Sequence, residues 1–167
     1  MKSRRVLFYV FLVIALAINT LIIVESCIGG DGSASQSFSL SEAFINFIES
    51  FNPSVVLIPD RVAFHAVFRK VVGHFLLFGA SGLFTTLAIL MSDSLYNKFM
   101  WKCILFSGGF GLLMALISEF IQYFAPGRYG ALTDILIDYG GYILFMGLTY
   151  LVVYFIFKKH RKEELSK

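Results

Sequence analysis

Four long apolar runs, nearly free of charge, dominate the chain. Leu7 to Val24 carries no charge, and Val71 to Met91 has His74 as its one ionisable group. Cys103 to Ala125 holds only Glu119, and Ala131 to Phe157 holds only Asp134 and Asp138, both in its first third. A bilayer crossing takes about 20 mostly apolar residues at a helical rise of about 1.5 Å each. The pattern therefore predicts an all-α polytopic membrane protein, a four-helix transmembrane bundle with spans at about 7–24, 71–91, 103–125 and 131–157. Residues 1–167 are expected to form one domain.

The segment between the first two runs, 25–60, is polar and uneven. Gly29, Gly30, Gly32 and the serine-rich stretch Ser33 to Ser39 read as flexible. Ser39-Leu40-Ser41-Glu42 then has the spacing of a capping box, which predicts the start of a short amphipathic helix. Phe44, Phe47, Ile48 and Phe51 follow at i, i+3, i+4 and i+7, one apolar face suited to the membrane surface or the top of the bundle. Asn52-Pro53 is a stop signal, and Pro59-Asp60 is a start signal for a helix that runs through Arg61, His65 and Arg69 into the second span.

Composition agrees with the pattern: 57% of residues are apolar and 15% charged, against about 45–50% and about 25% in soluble chains. Mean hydropathy is +0.77. A soluble globular protein is excluded. The net charge of +3 gathers in short flanks rather than in a patch, so no nucleic-acid partner is expected.

Those flanks set an expected orientation, because Lys and Arg stay on the cytoplasmic side of short loops. Lys2, Arg4 and Arg5 precede the first span, Lys98 and Lys102 lie between the second and third, and Lys158, Lys159, Arg161, Lys162 and Lys167 follow the fourth. The stretch Glu25 to Asp60 has five acids and no Lys or Arg, and Arg128 stands alone between the last two spans. Both termini are expected in the cytoplasm. Cys27 and Cys103 then fall at opposite membrane faces, too far apart for a disulfide. Ser26-Cys27 resembles a lipoprotein cleavage site, but Glu25 stands where a small residue is expected. The first run is accordingly read as an uncleaved span.

An ionisable side chain in hydrocarbon is costly and must pair, hydrate or do chemistry. In the expected orientation Lys70, His74, Glu119, Gln122, Arg128, Asp134 and Asp138 all occupy the outer half of the membrane. Lys70 and His74 are i, i+4, Glu119 and Gln122 i, i+3, and Asp134 and Asp138 i, i+4, so each pair shares a helix face. Ser107, Gly111 and Ala115 repeat every four residues in the sector of Glu119, and small residues at that spacing let membrane helices pack closely. Glu119 is thus expected to face protein, and three helices to present their polar groups to one outward-opening pocket.

Arg69-Lys70 with His74-Phe75, then Ser118-Glu119-Phe120-Ile121-Gln122 through Ala125-Pro126-Gly127-Arg128, and Thr133-Asp134 through Asp138-Tyr139-Gly140-Gly141, resemble the VanZ-like family. The resemblance covers the second to the fourth span. Many relatives carry Glu-Tyr three and four residues after the histidine, where this chain has Leu77-Phe78. The resemblance implies a bacterial envelope setting and a link to reduced susceptibility to teicoplanin, a lipid-tailed glycopeptide. It implies no particular reaction. The matching positions are the seven polar residues selected by depth.

The sequence leaves two functional classes open beside plain structural pairing, such as Glu119 with Arg128 or Lys70 with Asp134. In the first, Lys70, Gln122, Arg128 and Asp138 bind the headgroup of a membrane lipid or lipid-linked cell-wall intermediate, Lys70 and Arg128 meeting phosphate. A lipoglycopeptide antibiotic is a further partner of that kind. In the second, the chain is a membrane-embedded enzyme acting on a phosphoryl or acyl group. His74 then serves as base or nucleophile, with Glu119 and Asp134 as the other catalytic candidates. A metal arrangement of His74, Glu119 and the aspartates is chemically possible, but no compact metal-binding motif supports it, and no metal or cofactor is expected. Gly-x-Ser-x-Gly, His-Glu-x-x-His and phosphate-loop motifs are absent.

Overall fold

The computed structural model describes residues 2–51, 60–92 and 100–165. The Asn52-Pro53 stop, Pro59, Lys98 and Lys167 lie outside the described residues. The described chain forms five helices and no strand: α1 (Lys2–Cys27), α2 (Gly30–Glu49), α3 (Arg61–Met91), α4 (Met100–Phe124) and α5 (Leu132–Leu165). Four of them are long and apolar enough to cross a membrane, over Arg4–Cys27, Arg61–Met91, Trp101–Phe124 and Leu132–Ile156. These are the four expected spans, the second extended back to Arg61. Asp60 opens that helix, its side chain accepting from the Ala63 amide at 3.0 Å.

Three long-range contacts establish the topology. Arg4 Nη2 donates to Leu90 O at 2.9 Å, placing the start of α1 beside the end of α3. Ser26 and Ser118 hydroxyls lie 2.8 Å apart, placing the ends of α1 and α4 together. The Ala131 amide donates to Glu119 Oε2 at 3.0 Å and closes the α4–α5 turn. The bundle therefore runs up, down, up, down, with α3 and α5 parallel. α3 packs against α1, α4 and α5. The C-termini of α1 and α4 and the N-termini of α3 and α5 meet at one end, called here the site end.

Two glycines explain how α3 and α5 come close enough to share polar side chains. A Cβ on Gly141 would sit 2.1 Å from the Phe75 carbonyl oxygen, and one on Gly82 would sit 2.4 Å from that of Tyr142. Only backbone fits there. The small-residue stripe of α4 faces inward as expected, with Ser107, Ala115 and Glu119 buried and Gly111 against the Tyr142 ring. Ile22, Phe78, Met114, Ala115, Tyr142 and Met146 form the central core. Large apolar side chains such as Val13, Leu16, Leu105, Phe106, Leu148 and Val152 are exposed, as lipid contact requires.

The segment after α1 corrects the sequence reading. Gly29 to Ser39 is not a flexible linker: α2 begins at Gly30 and runs unbroken to Glu49, through the proposed capping box at Ser39 to Glu42. Its serines use their own helix. Ser37 Oγ donates to Ser33 O at 2.9 Å and Ser41 Oγ to Ser37 O at 2.8 Å, so polar side chains are satisfied without capping an end. The buried face is Ser33, Ser41 and Ile45, while Phe44, Phe47 and Phe51 are exposed. The apolar stripe therefore faces outward, the reverse of a helix on a soluble core. A clasp joins α2 to α3: Arg61 reaches Glu42 at 2.9 Å and Glu49 at 3.1 Å, His65 meets Ser41 and Glu42, and Phe44 stacks on Phe64.

Candidate functional site

Parallel packing of α3 on α5 produces a polar ladder. Lys70 Nζ donates to Asp134 Oδ1 at 2.7 Å, and His74 Nδ1 lies 3.0 Å from Asp138 Oδ1. Both rungs have a sequence offset of 64, which two parallel helices with matched i, i+4 pairs must give. Phe78 and Tyr142 continue that register into the core. The segment carrying Lys70 and His74, Arg69–Leu76, is wound as a π-helix. Such wide turns occur often at functional sites. Four residues advance about 400° in an α-winding and about 330° at the roughly 4.4 residues per turn of a π-winding, so the pair shares a face in either.

Glu119 comes to the same place from α4. Its Oε2 accepts the Ala131 amide at the start of α5, a favourable position for an anion. Its Oε1 is buried with no hydrogen-bond partner, and so is Asp138 Oδ2. Asp138 is 0% exposed, Glu119 4% and His74 8%. His74, Glu119 and Asp138 each offer a ligand atom, all within 4.8 Å of one another. Among the described residues, this is the group able to hold a metal.

Arg128 does not pair with Glu119, contrary to one pairing considered from sequence. Its Nη1 donates to Glu25 O at 3.0 Å and its Nη2 to Ser33 Oγ at 2.7 Å. Glu25 O belongs to the last turn of α1, where carbonyls lack helical partners and attract cations. The turn before it explains the reach. Gly30 N donates to Pro126 O at 2.8 Å, and Gly127 takes φ +71°, open to glycine and costly for other residues. A Cβ on Gly30 would lie 2.1 Å from Gly127 O. Glycines that looked like a flexible stretch are thus a backbone-to-backbone junction. Burial pushes the Arg128 guanidinium down from its ordinary value, and nearby Arg69 adds to the shift. A guanidinium stays charged at neutral pH.

Beside the ladder a cavity of about 710 Å³ opens between α1, α2, α3 and α4. Arg69, His74, Gln122 and Arg128 lie on its wall, with serines of α2, and Leu21, Ile22 and Phe78 supply apolar surface. Gln122 Nε2 donates to Ser118 Oγ at 3.2 Å. The seven expected residues thus divide. His74, Gln122 and Arg128 line the cavity, whereas Lys70, Glu119, Asp134 and Asp138 stand outside its lining, and His74 joins the two sets.

Sequence reasoning missed Arg69 and the serine face of α2. Arg69 adjoins Lys70 and could have been found as the second cation of a basic pair at the mouth of a span. The spacing Ser33, Ser37, Ser41, Ile45 was equally visible as an i, i+4 stripe, but the neighbouring phenylalanines drew the reading to the opposite face. No carboxylate lies within ion-pair distance of Arg69 or Arg128 among the described residues.

No match was found among curated proteins, and none among solved structures. The model of the VanZ/LLP1 family matches residues 6–157, from the first turns of α1 to the end of the apolar part of α5. With its four apolar helices and with the polar string of α3, α4 and α5 gathered at one end, the chain is a membrane protein that belongs to the VanZ/LLP1 family.

Proposed function

We propose that the cavity binds the anionic headgroup of a membrane lipid or of a lipid-linked cell-wall intermediate in the bacterial envelope. The observation that carries this reading is the pair of arginines lining one cavity, Arg69 and Arg128, neither within ion-pair distance of a carboxylate among the described residues, although Glu25 lines the same cavity. Two like charges facing one space repel, and an anion between them turns repulsion into attraction. Guanidinium groups suit phosphate because their planar forks donate two bonds at once. Arg128 uses two of its five N–H groups on Glu25 and Ser33 and keeps others for a ligand. Serine hydroxyls, Gln122 and His74 supply further polar contacts, and Leu21, Ile22 and Phe78 accept the start of an acyl chain. The volume lies within the usual range of about 300–1,000 Å³ for small-molecule sites.

The basic flanks support a topology with both termini in the cytoplasm and the site end outside. A role in teicoplanin susceptibility would arise at that surface, where a lipid-tailed glycopeptide meets lipid-linked cell-wall intermediates. Thiol labelling from outside, in a Cys27→Ser background, tests the side: Tyr129→Cys should react in intact cells and Ser92→Cys should not. The reverse pattern would turn the cavity to the cytoplasm.

Short-chain phosphatidylglycerol should raise the melting temperature of the purified protein more than phosphatidylcholine of equal chain length, and Arg69→Gln should erase the difference. Equal shifts by both lipids in the wild type would remove the anionic-headgroup reading. A second reading, an enzyme acting on a phosphoryl or acyl group of the bound lipid, is favoured by one contact. His74 lines the cavity while its Nδ1 meets Asp138, an arrangement that orients an imidazole as a general base.

A further inference from the structure

We infer that His74, Glu119 and Asp138 form a binding site for one divalent first-row metal ion. The inference rests on that cluster alone and stands whether or not the cavity takes a lipid.

Three observations converge. The three residues come from three helices, α3, α4 and α5, and offer ligand atoms within 4.8 Å of one another. Donors around one cation at metal–ligand distances of about 2.0–2.2 Å lie about 3 to 4 Å apart, so capture needs closing by about 1 Å. The edge between His74 Nδ1 and Asp138 Oδ1 is already 3.0 Å. Next, Glu119 Oε1 and Asp138 Oδ2 are both buried without a partner. An ionised oxygen left so in a membrane interior is unfavourable, and a cation bound by both carboxylates would remove that cost. Last is charge. Lys70 is taken by Asp134 at 2.7 Å, and no Lys or Arg lies within ion-pair distance of Glu119 or Asp138 among the described residues. Two carboxylates with a neutral imidazole carry −2, which a divalent ion balances.

The donor set narrows the metal. One imidazole nitrogen with two carboxylates suits zinc or manganese, whereas calcium prefers six to eight oxygens. Three protein ligands leave a coordination position open, as in catalytic rather than structural zinc sites. Glu119 Oε2 and Lys70–Asp134 form the outer support, the first tying its carboxylate to the start of α5 and the second fixing the neighbouring rung. Because His74 lines the cavity, the open position would face the space where a lipid phosphate or a water sits.

The test is metal content and loading of the full chain in detergent, purified with a tag free of histidine. Elemental analysis should find about one zinc or manganese per chain, removable by a chelator. Reloading the stripped protein with Zn²⁺ should raise its melting temperature, and Mn²⁺ should give a bound signal by electron paramagnetic resonance that Zn²⁺ displaces. His74→Ala and Glu119→Gln should lose the metal, while Glu49→Gln, in the α2–α3 clasp, should keep it. A wild type that holds neither ion and shows no response to either would overturn the site, leaving the carboxyl groups to share protons. Metal retained by both His74→Ala and Glu119→Gln would overturn it as well, by placing the ion elsewhere. Should either variant fail to fold, the wild-type stripping and reloading results decide alone.

Discussion

The two halves of the bundle bury polar groups in opposite ways. Away from the site end the buried polar groups are mostly neutral and hydrogen-bond one another, with Arg4 on Leu90 O as a charged exception at the far rim. Thr86 and Ser107 hydroxyls lie 2.8 Å apart, Ser107 and Tyr142 3.0 Å, and Ser81 donates to Asn19, which donates to Ala15 O. Thr85 Oγ1, a neutral hydroxyl, lacks a hydrogen-bond partner there. At the site end charged groups join the neutral Ser26, Ser118 and Gln122, and two carboxylate oxygens are left over. A satisfied neutral network specifies how helices pack and asks for nothing else. Unsatisfied buried carboxylates cost stability and persist where a ligand or a reaction uses them. The comparison separates residues that hold the bundle from residues held by it.

The close α3–α5 approach serves both halves, so breaking it should have the largest effect. Gly141→Val would drive side-chain carbon into the Phe75 carbonyl and part the helices that carry both ladder rungs. A loss of more than about 3 kcal/mol is expected, read as absence of folded protein by size-exclusion after extraction. Recovery of normal amounts with an unchanged melting temperature would mean that the helices need not touch there.

The neutral half comes next. Ser107→Ala removes the hydroxyl shared by Thr86 and Tyr142 and leaves both with one partner fewer, at a cost of about 1–3 kcal/mol in melting experiments. Lipid and metal binding should be unchanged. Loss of either with no loss of stability would reverse the roles assigned to the halves.

Glu119→Gln should move stability least, within about 1 kcal/mol in metal-free protein, because the amide oxygen can still accept from Ala131 and a buried charge disappears. Metal binding should nonetheless be lost. A large drop in metal-free stability would class Glu119 with Ser107 as a packing residue.

What was legible beforehand follows the same division. Uncharged runs report lipid contact directly, and all four spans were visible for that reason. The i, i+4 spacing of Lys70 with His74 and of Asp134 with Asp138 already implied two faces able to meet, and parallel packing matched them rung for rung. Partner choice was not legible. Arg128 binds the end of α1 rather than Glu119, because the Pro126-Gly127 turn docks on Gly30. That contact joins positions about 100 residues apart and leaves no periodic trace. The α2 helix was mistaken for a linker with a late start because glycine and serine weaken a helix in water, whereas here its buried face is serine and its phenylalanines point outward. The orphaned oxygens depend on which neighbours are absent, and spacing along one chain does not record that.

The central claim is that the two arginines hold an anionic headgroup, and native mass spectrometry of protein extracted from membranes in mild detergent tests it most directly. Wild-type protein should retain about one phosphate-bearing anionic lipid per chain at collision energies that strip phosphatidylcholine, and Arg69→Gln, at normal stability, should retain at least about tenfold less, a loss of about 1.4 kcal/mol. Equal retention of anionic and zwitterionic lipids by the wild type, or undiminished retention by Arg69→Gln, would contradict the account.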